Sequence, residues 1–192
     1  VDHIQGLAKA KQLLKTTVTA HPNAVDPLQS GDTLVTLAEI AAQNLKMAMP
    51  PVEIEHEVND GDVIEVGSLK VEVWHTPGHT NSQLAFRIGD VLLSGDNIYR
   101  DGCIGAIDAH HGSDIQAFVN SLERIRDSDV KWLAPSHGPI FPNDRELLDA
   151  TIQRVRSYLK MADFGTLAES WPLMDEWDEE VAAGRLPDGL QP

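Results

Sequence analysis

The segment His75-Thr76-Pro77-Gly78-His79-Thr80 shows how this chain is organised, because it closes an apolar strand pattern with two histidines, Pro and Gly. Two later segments have the same character: in each, a side chain able to bind a metal follows an apolar strand and stands beside Gly or Pro. They are Leu92-Leu93-Ser94-Gly95-Asp96 and Pro135-Ser136-His137-Gly138-Pro139. A rigid sheet can hold such side chains still, which is what a metal site requires.

Imidazole nitrogen and carboxylate oxygen are ligands that zinc and iron accept. His79, Asp96 and His137 follow strands that other elements separate, so one sheet can present all three along one edge. Taken singly, each has an ordinary explanation, such as a hydrogen-bonded histidine or a Ser-Gly-Asp turn. Asp2 and His3, just ahead of a predicted helix, complete the candidate set.

Composition favours a soluble globular protein of ordinary kind. The chain has 192 residues, enough for one domain with a real core or for part of a larger one. A net charge of -15 argues against nucleic acid or an anionic membrane surface as a partner, since phosphates are captured by basic patches. Cys103 is the single cysteine, which excludes an intrachain disulfide and a Cys-rich zinc site. We expect the Cys103 thiol to be inert and the protein to be cytoplasmic. Because the chain opens on Val1 rather than Met, a targeting segment ahead of Val1 stays an open alternative.

Alternating strand and helix patterns predict an α/β (α+β) domain over residues 1–164. The predicted elements are a helix over 7–14, a strand over 17–20, a loop over 23–32, a helix over 33–49, a strand over 52–56, hairpins over 63–74 and 83–93, a helix capped at Ser113-Asp114 and ending near 126, a strand over 130–134, and a helix capped by Asn143 and ending near 164.

Residues 165–192 form an acidic C-terminal extension that contains Trp171 and Trp177. Two large aromatic side chains so close together are expected to be buried. They can dock on their own domain, or they can form a lid over the site or a subunit contact in a homodimer.

The motifs together resemble the metallo-β-lactamase superfamily of metallohydrolases, whose members share a four-layer αββα sandwich with a dinuclear metal site at the sheet edges. The resemblance extends to about Phe164 and keeps the family's motif order. The matching pieces are Asp2-His3 as the end of a His-x-His-x-Asp-His motif, Thr76-Pro77-Gly78-His79-Thr80, Ser94-Gly95-Asp96 and Pro135-Ser136-His137-Gly138.

This resemblance implies that Asp2, His3 and His137 bind one metal, that His79 binds the other and that Asp96 bridges them. It also implies two Zn²⁺ ions, with iron or manganese as alternatives, and a metal-bound hydroxide that attacks a small-molecule ester, thioester or lactone. Asp2 would also orient the nucleophile. The histidines that the motif places just before Val1, and the opening strands, are not in this sequence. We therefore expect part of a longer protein rather than a genuine truncation.

Two other functions stay open. One is an iron-dependent redox enzyme of the same fold, such as a persulfide dioxygenase or a diiron protein, although His3 stands where the zinc hydrolases of the family have histidine. The other is an inactive half-site interaction protein, which requires a genuine truncation.

Four further features lie near these motifs. Tyr99 follows Asp96 by three positions, a placement similar to that of a tyrosine in the lactonase branch that donates to the substrate carbonyl; a core or loop tyrosine is the alternative. His75 is expected to support its strand rather than bind metal. His110 and His111 lie in a loop after the bridging carboxylate, either exposed or against the pocket. Arg100 is either solvated or binds an anionic group of the substrate.

Overall fold

The computed structural model describes residues 1–41, 44–108, 112–160 and 183. It contains four helices and ten strands in these residues. They are α1 Leu7–Leu14, β1 Thr19–Ala20, α2 Pro22–Ser30, β2 Glu39–Ile40, β3 Leu45–Lys46, β4 His56–Glu57, β5 Val63–Val66, β6 Leu69–His75, β7 Leu84–Ile88, β8 Val91–Gly95, α3 Ile115–Arg126, β9 Trp132–Pro135, β10 Phe141–Pro142 and α4 Arg145–Tyr158.

A six-stranded sheet in the order β10-β9-β8-β7-β6-β5 forms the centre of the molecule. Both predicted hairpins are present: β5 pairs antiparallel with β6, and β7 pairs antiparallel with β8. Because β6 and β7 are also antiparallel and β8 and β9 are parallel, strands β6, β8 and β9 run in the same direction. Their carboxyl ends therefore lie at one edge of the sheet.

One face of this sheet is covered by α3 and α4. The sheet contributes Trp74, Leu92 and Leu133 to a buried cluster, and the helices contribute Phe118 and Leu148 among others. These side chains are at most 7% exposed, and burying each apolar side chain contributes roughly 1.5–3 kcal/mol. This core holds the sheet rigid beneath its carboxyl edge.

The opposite face of the sheet is turned toward the N-terminal part of the chain. Helices α1 and α2 and the small sheets β1-β4 and β2-β3 surround a second buried cluster that includes Val18, Leu28 and Met49. The layers thus follow the predicted αββα order, and the second β layer consists of two-stranded pieces in the described residues. The α+β prediction is confirmed.

Two predictions for residues 23–49 are wrong. The predicted loop over 23–32 is largely helix α2, which ends at Gly31 in the left-handed conformation. The predicted helix over 33–49 is a turn followed by the β2-β3 hairpin. The Asp32 carboxylate caps a short turn by accepting hydrogen bonds from the amides of Leu34 and Val35. Leu37 then has a positive φ of 52°, so the chain leaves helical geometry there despite its apolar spacing.

The cap of α4 is also different from the predicted one. Asp144, not Asn143, is the N-cap, and its carboxylate accepts from the amides of Glu146 and Leu147. The Asn143 amide instead donates to the carbonyls of Ile125 and Val130. Within the described residues, no helix is long and apolar enough to cross a membrane. Except for Ala183, the predicted C-terminal extension lies outside those residues.

Candidate metal centre

The carboxyl edge of the six-stranded sheet brings together the three motif residues that follow its strands. His79 comes four positions after β6, Asp96 directly follows β8, and His137 comes two positions after β9. Since these strands run in one direction, the turns after them meet. The predicted arrangement along one sheet edge is present.

Asp2 and His3 reach the same edge from the turn ahead of α1, where Val1 and Ile4 pack against the N-terminal core. The Nε2 atoms of His3 and His137 are 3.2 Å apart. Oδ2 of Asp2 lies 3.4 Å from the first nitrogen and 3.3 Å from the second. Three donor atoms from the two ends of the domain therefore form a nearly equilateral triangle.

The size of this triangle matches a metal site. Ligand atoms about 2.0–2.1 Å from a metal, at the corners of a tetrahedron, stand roughly 3.3–3.4 Å from one another. The donor separations of 3.2–3.4 Å agree with that edge length. Two imidazole nitrogens and a carboxylate oxygen also have the ligand chemistry of zinc and iron. The residues thus fit a divalent transition metal.

Asp96 is the buried member of the cluster, with its side chain 9% exposed. Its Oδ2 atom lies 3.1 Å from Nε2 of His3 and 3.6 Å from Nε2 of His79. Its Oδ1 atom lies 3.8 Å from Nε2 of His137 and accepts a 2.6 Å hydrogen bond from the Tyr99 hydroxyl. The carboxylate thus stands between His79 and the Asp2-His3-His137 triangle.

Contacts with the backbone orient the His79 ring on the side away from Asp96. Its Nδ1 atom lies 2.6 Å from the carbonyl oxygen of Ala106. A proton on Nδ1 satisfies this contact and leaves the lone pair on Nε2, the nitrogen that faces Asp96; metal-binding histidines use the same device. The Ser113 hydroxyl donates to the His79 carbonyl over 2.5 Å, which ties this turn to the start of α3.

Gly105 allows His79 and Asp96 to approach each other. A Cβ atom at position 105 would lie 2.9 Å from Cγ of His79 and 2.7 Å from the carbonyl oxygen of Asp96. The Gly105 amide donates to that same carbonyl over 2.9 Å. The backbone of residues 105 and 106 therefore packs directly against the site.

Two further residues, Asn97 and Gly78, stabilise the turns that follow β6 and β8. Asn97, fully buried, donates through its side-chain amide to the Thr76 hydroxyl and to the Ser94 carbonyl, linking two of the motif segments. Gly78 has φ +147°, and a Cβ there would lie 2.5 Å from Cα of Phe118. The Gly in the Thr76-Pro77-Gly78-His79-Thr80 motif is thus required by the close approach of α3.

Electrostatics keep Asp2 and Tyr99 in definite protonation states. Burial raises the pKa of Asp2, but His3, a backbone hydrogen bond and His137 more than offset it and hold that pKa below its ordinary value. Burial, followed by the bond to Asp96, raises the pKa of Tyr99 well above its ordinary value. At neutral pH, Asp2 is an anion and Tyr99 is a hydrogen-bond donor.

Three other residues from the sequence analysis, His75, Arg100 and Cys103, lie apart from the cluster. His75 Nε2 is 2.9 Å from the Asn81 carbonyl oxygen, and its ring stacks on His21 with centroids 4.1 Å apart. Arg100 lines a separate cavity of about 330 Å³ beside Tyr99. Cys103 is exposed. The loop pair His110 and His111 lies outside the described residues.

A large groove of about 1010 Å³ adjoins the cluster, between the sheet and the N-terminal part. His79, Asp96 and His137 are among its lining residues. The apolar lining includes Ile4, Leu28, Leu37, Ile40, Phe86 and Leu93. The groove is large enough for a small molecule, since ligand pockets typically measure roughly 300–1,000 Å³.

A sequence profile described as "Metallo-beta-lactamase superfamily" matches residues 1–137, which include every residue of the cluster. The chain belongs to this superfamily. The five residues that the motifs indicated lie together in the structure, and their roles as individual ligands remain predictions.

Three known proteins are similar to this superfamily member. "Uncharacterized protein Rv2581c" of Mycobacterium tuberculosis is 29% identical over 150 residues; the match covers 72% of this chain and 65% of that protein, so the chain spans just under two thirds of the relative's length. A hydroxyacylglutathione hydrolase of Xylella fastidiosa is 42% identical over 48 residues, covering 25% of this chain and 19% of the relative. The crystal structure of TTHA1623 in a di-iron-bound form is 26% identical with a TM-score of 0.60, covering 76% of this chain and 69% of that chain.

Proposed function

We propose that this protein is a metal-dependent hydrolase that acts on a small-molecule ester, thioester or lactone. The observation that carries the proposal is the triangle of Asp2, His3 and His137 donor atoms, whose 3.2–3.4 Å edges match tetrahedral coordination. A hydrolase site needs such a cluster beside a cavity that admits substrate, and the groove supplies the cavity.

Asp2, His3 and His137 would hold one metal ion, His79 would hold a second, and Asp96 would contact both. Divalent cations at such a site acidify bound water and polarise the carbonyl under attack. The Asp2 side chain, 63% exposed, lines the groove and is anionic at neutral pH, so it can accept a hydrogen bond from the attacking water and orient it.

The substrate class is supported by two features. The groove is lined by the cluster and by apolar side chains, as a substrate with one hydrolysable bond and an apolar body requires. The partial match to a protein named hydroxyacylglutathione hydrolase covers 25% of this chain. Zinc is the metal we propose, because imidazole and carboxylate donors at tetrahedral spacing suit it.

A second candidate is an iron-dependent redox enzyme of the same fold. It is favoured by the 26% identical protein that was solved in a di-iron-bound form. The same donor atoms accept iron, so the ligand set alone does not separate the two functions.

The two functions are tested by metal analysis, an absorption spectrum and an activity panel on the same preparation. A hydrolase is expected to carry colourless metal and to cleave at least one ester, thioester or lactone, with activity lost in chelator and restored by Zn²⁺. Visible iron bands together with oxygen or persulfide consumption would support the redox enzyme instead.

Asp96→Ala sharpens this test. Because Asp96 faces both His3 and His79, we expect the variant to lose metal retention and at least about 100-fold in turnover together. Asp129→Ala is the matched control, since this carboxylate is 79% exposed and pairs with Arg87 at 2.8 Å. Wild-type metal content and turnover in Asp96→Ala would overturn the proposal, and a metal-free wild-type protein would favour the half-site interaction protein.

A further inference from the structure

We propose that Tyr99 is a positioning residue for the Asp96 carboxylate, holding Oδ1 so that Oδ2 is presented to both halves of the metal site. The inference rests on the proposed metal site. It differs from the expectation that Tyr99 donates to a substrate carbonyl.

The two oxygens of Asp96 have separate neighbours. Oδ2 is the atom nearest both His3, at 3.1 Å, and His79, at 3.6 Å. Oδ1 accepts the Tyr99 hydroxyl at 2.6 Å, a short bond of the kind that a charged acceptor forms. Rotation of the carboxylate would break this bond, so the phenol fixes which oxygen points toward the two histidines.

Tyr99 is held in place by the chain around it rather than by a ligand. Its amide donates to the Cys103 carbonyl over 2.8 Å, and its carbonyl accepts from the Gly102 amide over 2.9 Å. This tight turn is anchored to α4, because the Gly102 carbonyl accepts from the Thr151 hydroxyl at 3.2 Å and from the Arg154 guanidinium. The hydroxyl is thus directed at Asp96 before any substrate arrives.

A phenol has one proton to donate, and in this structure it goes to Asp96. Donation to a substrate carbonyl would require that bond to break. The Tyr99 ring also lies edge-on to the His137 ring, with centroids 5.9 Å apart, so it contacts a second candidate ligand. Both contacts point to a role in arranging the metal site.

The test compares Tyr99→Phe with Tyr158→Phe in the full chain. Tyr158, at the end of α4, packs against the core and serves as the matched control. Zn²⁺ affinity is measured by competition with a chromophoric chelator, and the site geometry by the visible spectrum of the Co²⁺-loaded protein. We expect Tyr99→Phe to bind Zn²⁺ about 10–100-fold more weakly with an altered Co²⁺ spectrum, and Tyr158→Phe to match the wild type.

At saturating Zn²⁺, the KM of Tyr99→Phe is expected to stay near the wild-type value. Unchanged Zn²⁺ affinity and an unchanged Co²⁺ spectrum in Tyr99→Phe, with or without a loss of kcat, would overturn the positioning role while leaving the metal site intact. A wild-type protein that binds no Zn²⁺ would instead overturn the proposed function and this inference with it.

A second variant, outside the cluster, distinguishes a positioning role of Tyr99 from misfolding of the Tyr99→Phe protein. Arg154→Gln removes one anchor of the Gly102 carbonyl and lies outside the cluster. If it acts through Tyr99, it weakens Zn²⁺ binding by less than Tyr99→Phe does and adds nothing in the Tyr99→Phe background. Additive losses would contradict the coupling.

Discussion

At the scale of single residues, the absence of a side chain at position 105 is as important as the presence of the donor groups. Gly105 lets the Ala106 carbonyl reach His79 while its own backbone touches Asp96. A methyl group there would have to displace a candidate ligand or the backbone behind it.

Gly105→Ala is therefore expected to lower Zn²⁺ affinity and to lower kcat/KM by about 100-fold, the cost of misplacing a site group by roughly 1 Å. The free energy of unfolding should fall by about 1–3 kcal/mol, as for other overpacked sites. Chelator competition, steady-state kinetics and urea denaturation measure the three effects.

Gly6→Ala is the control, because a Cβ at Gly6 meets nothing within 4 Å. It should leave the Zn²⁺ affinity and kcat/KM unchanged. A Gly105→Ala protein with wild-type Zn²⁺ affinity would mean that His79 and Asp96 tolerate displacement and that their close approach has no role.

Residue identity was the most predictable level of the site. Asp2, His3, His79, Asp96 and His137 were found from motifs and converge in the structure. The supporting atoms were missed because a backbone carbonyl such as that of Ala106, or a missing side chain such as that of Gly105, leaves no pattern of its own. Asn97 was missed as well, although a polar residue two positions after a buried strand is a detectable signal.

At the scale of elements, helix α2 depends on a histidine cap. Nδ1 of His21 accepts from the Asn23 amide at 3.2 Å, which requires the neutral ring. Burial, followed by the adjacent His75, lowers the pKa of His21. The unfolded chain therefore takes up a proton on His21 more readily than the folded protein does. The stabilisation by His21 is complete above the ordinary histidine pKa of about 6.5. It is lost as the pH falls toward the lower pKa that His21 has in the folded protein.

Urea unfolding in chelator at pH 7.5 and 5.5 tests this cap. His21→Asn keeps a capping oxygen but does not titrate, so it should lose less stability than the wild type on acidification. His21→Ala should be about 1 kcal/mol less stable than the wild type at pH 7.5, because the cap is gone. Equal pH sensitivity of wild type and His21→Asn would exclude His21 as a source of acid lability.

Elements with regular alternation or strong caps were predicted well, and irregular ones were not. The two hairpins and α3 were recognised, since Gly89-Asp90 and Asp114 are strong local signals. The prediction for segment 33–49 failed because its apolar spacing suits a helix, while the left-handed backbone at Leu37 ends the turn that Asp32 caps. Helix α2 was missed because Pro27, a helix breaker by propensity, lies inside it.

At the scale of the whole molecule, the site follows from strand direction. Two successive antiparallel pairings, β6 with β7 and β7 with β8, return β8 to the direction of β6, and α3 returns the chain so that β9 runs parallel to β8. This part of the topology was predictable, since hairpins and crossover helices leave clear patterns.

The contact between His3 and His137 was not predictable from local patterns, because these residues are separated by 134 positions. It depends on how the N-terminal core packs across the sheet, and only the resemblance to a known family pointed to it. That long-range contact is also the centre of the functional proposal, because without it the triangle of Asp2, His3 and His137 donor atoms would not form.

A crystal structure of the zinc-loaded protein, with anomalous data collected on both sides of the zinc absorption edge, tests the metal site most directly. We predict an anomalous peak within bonding distance of Asp2 Oδ2 and the Nε2 atoms of His3 and His137, on the side that faces Asp96. A map with no peak there, or with zinc bound only elsewhere, would contradict the proposed site.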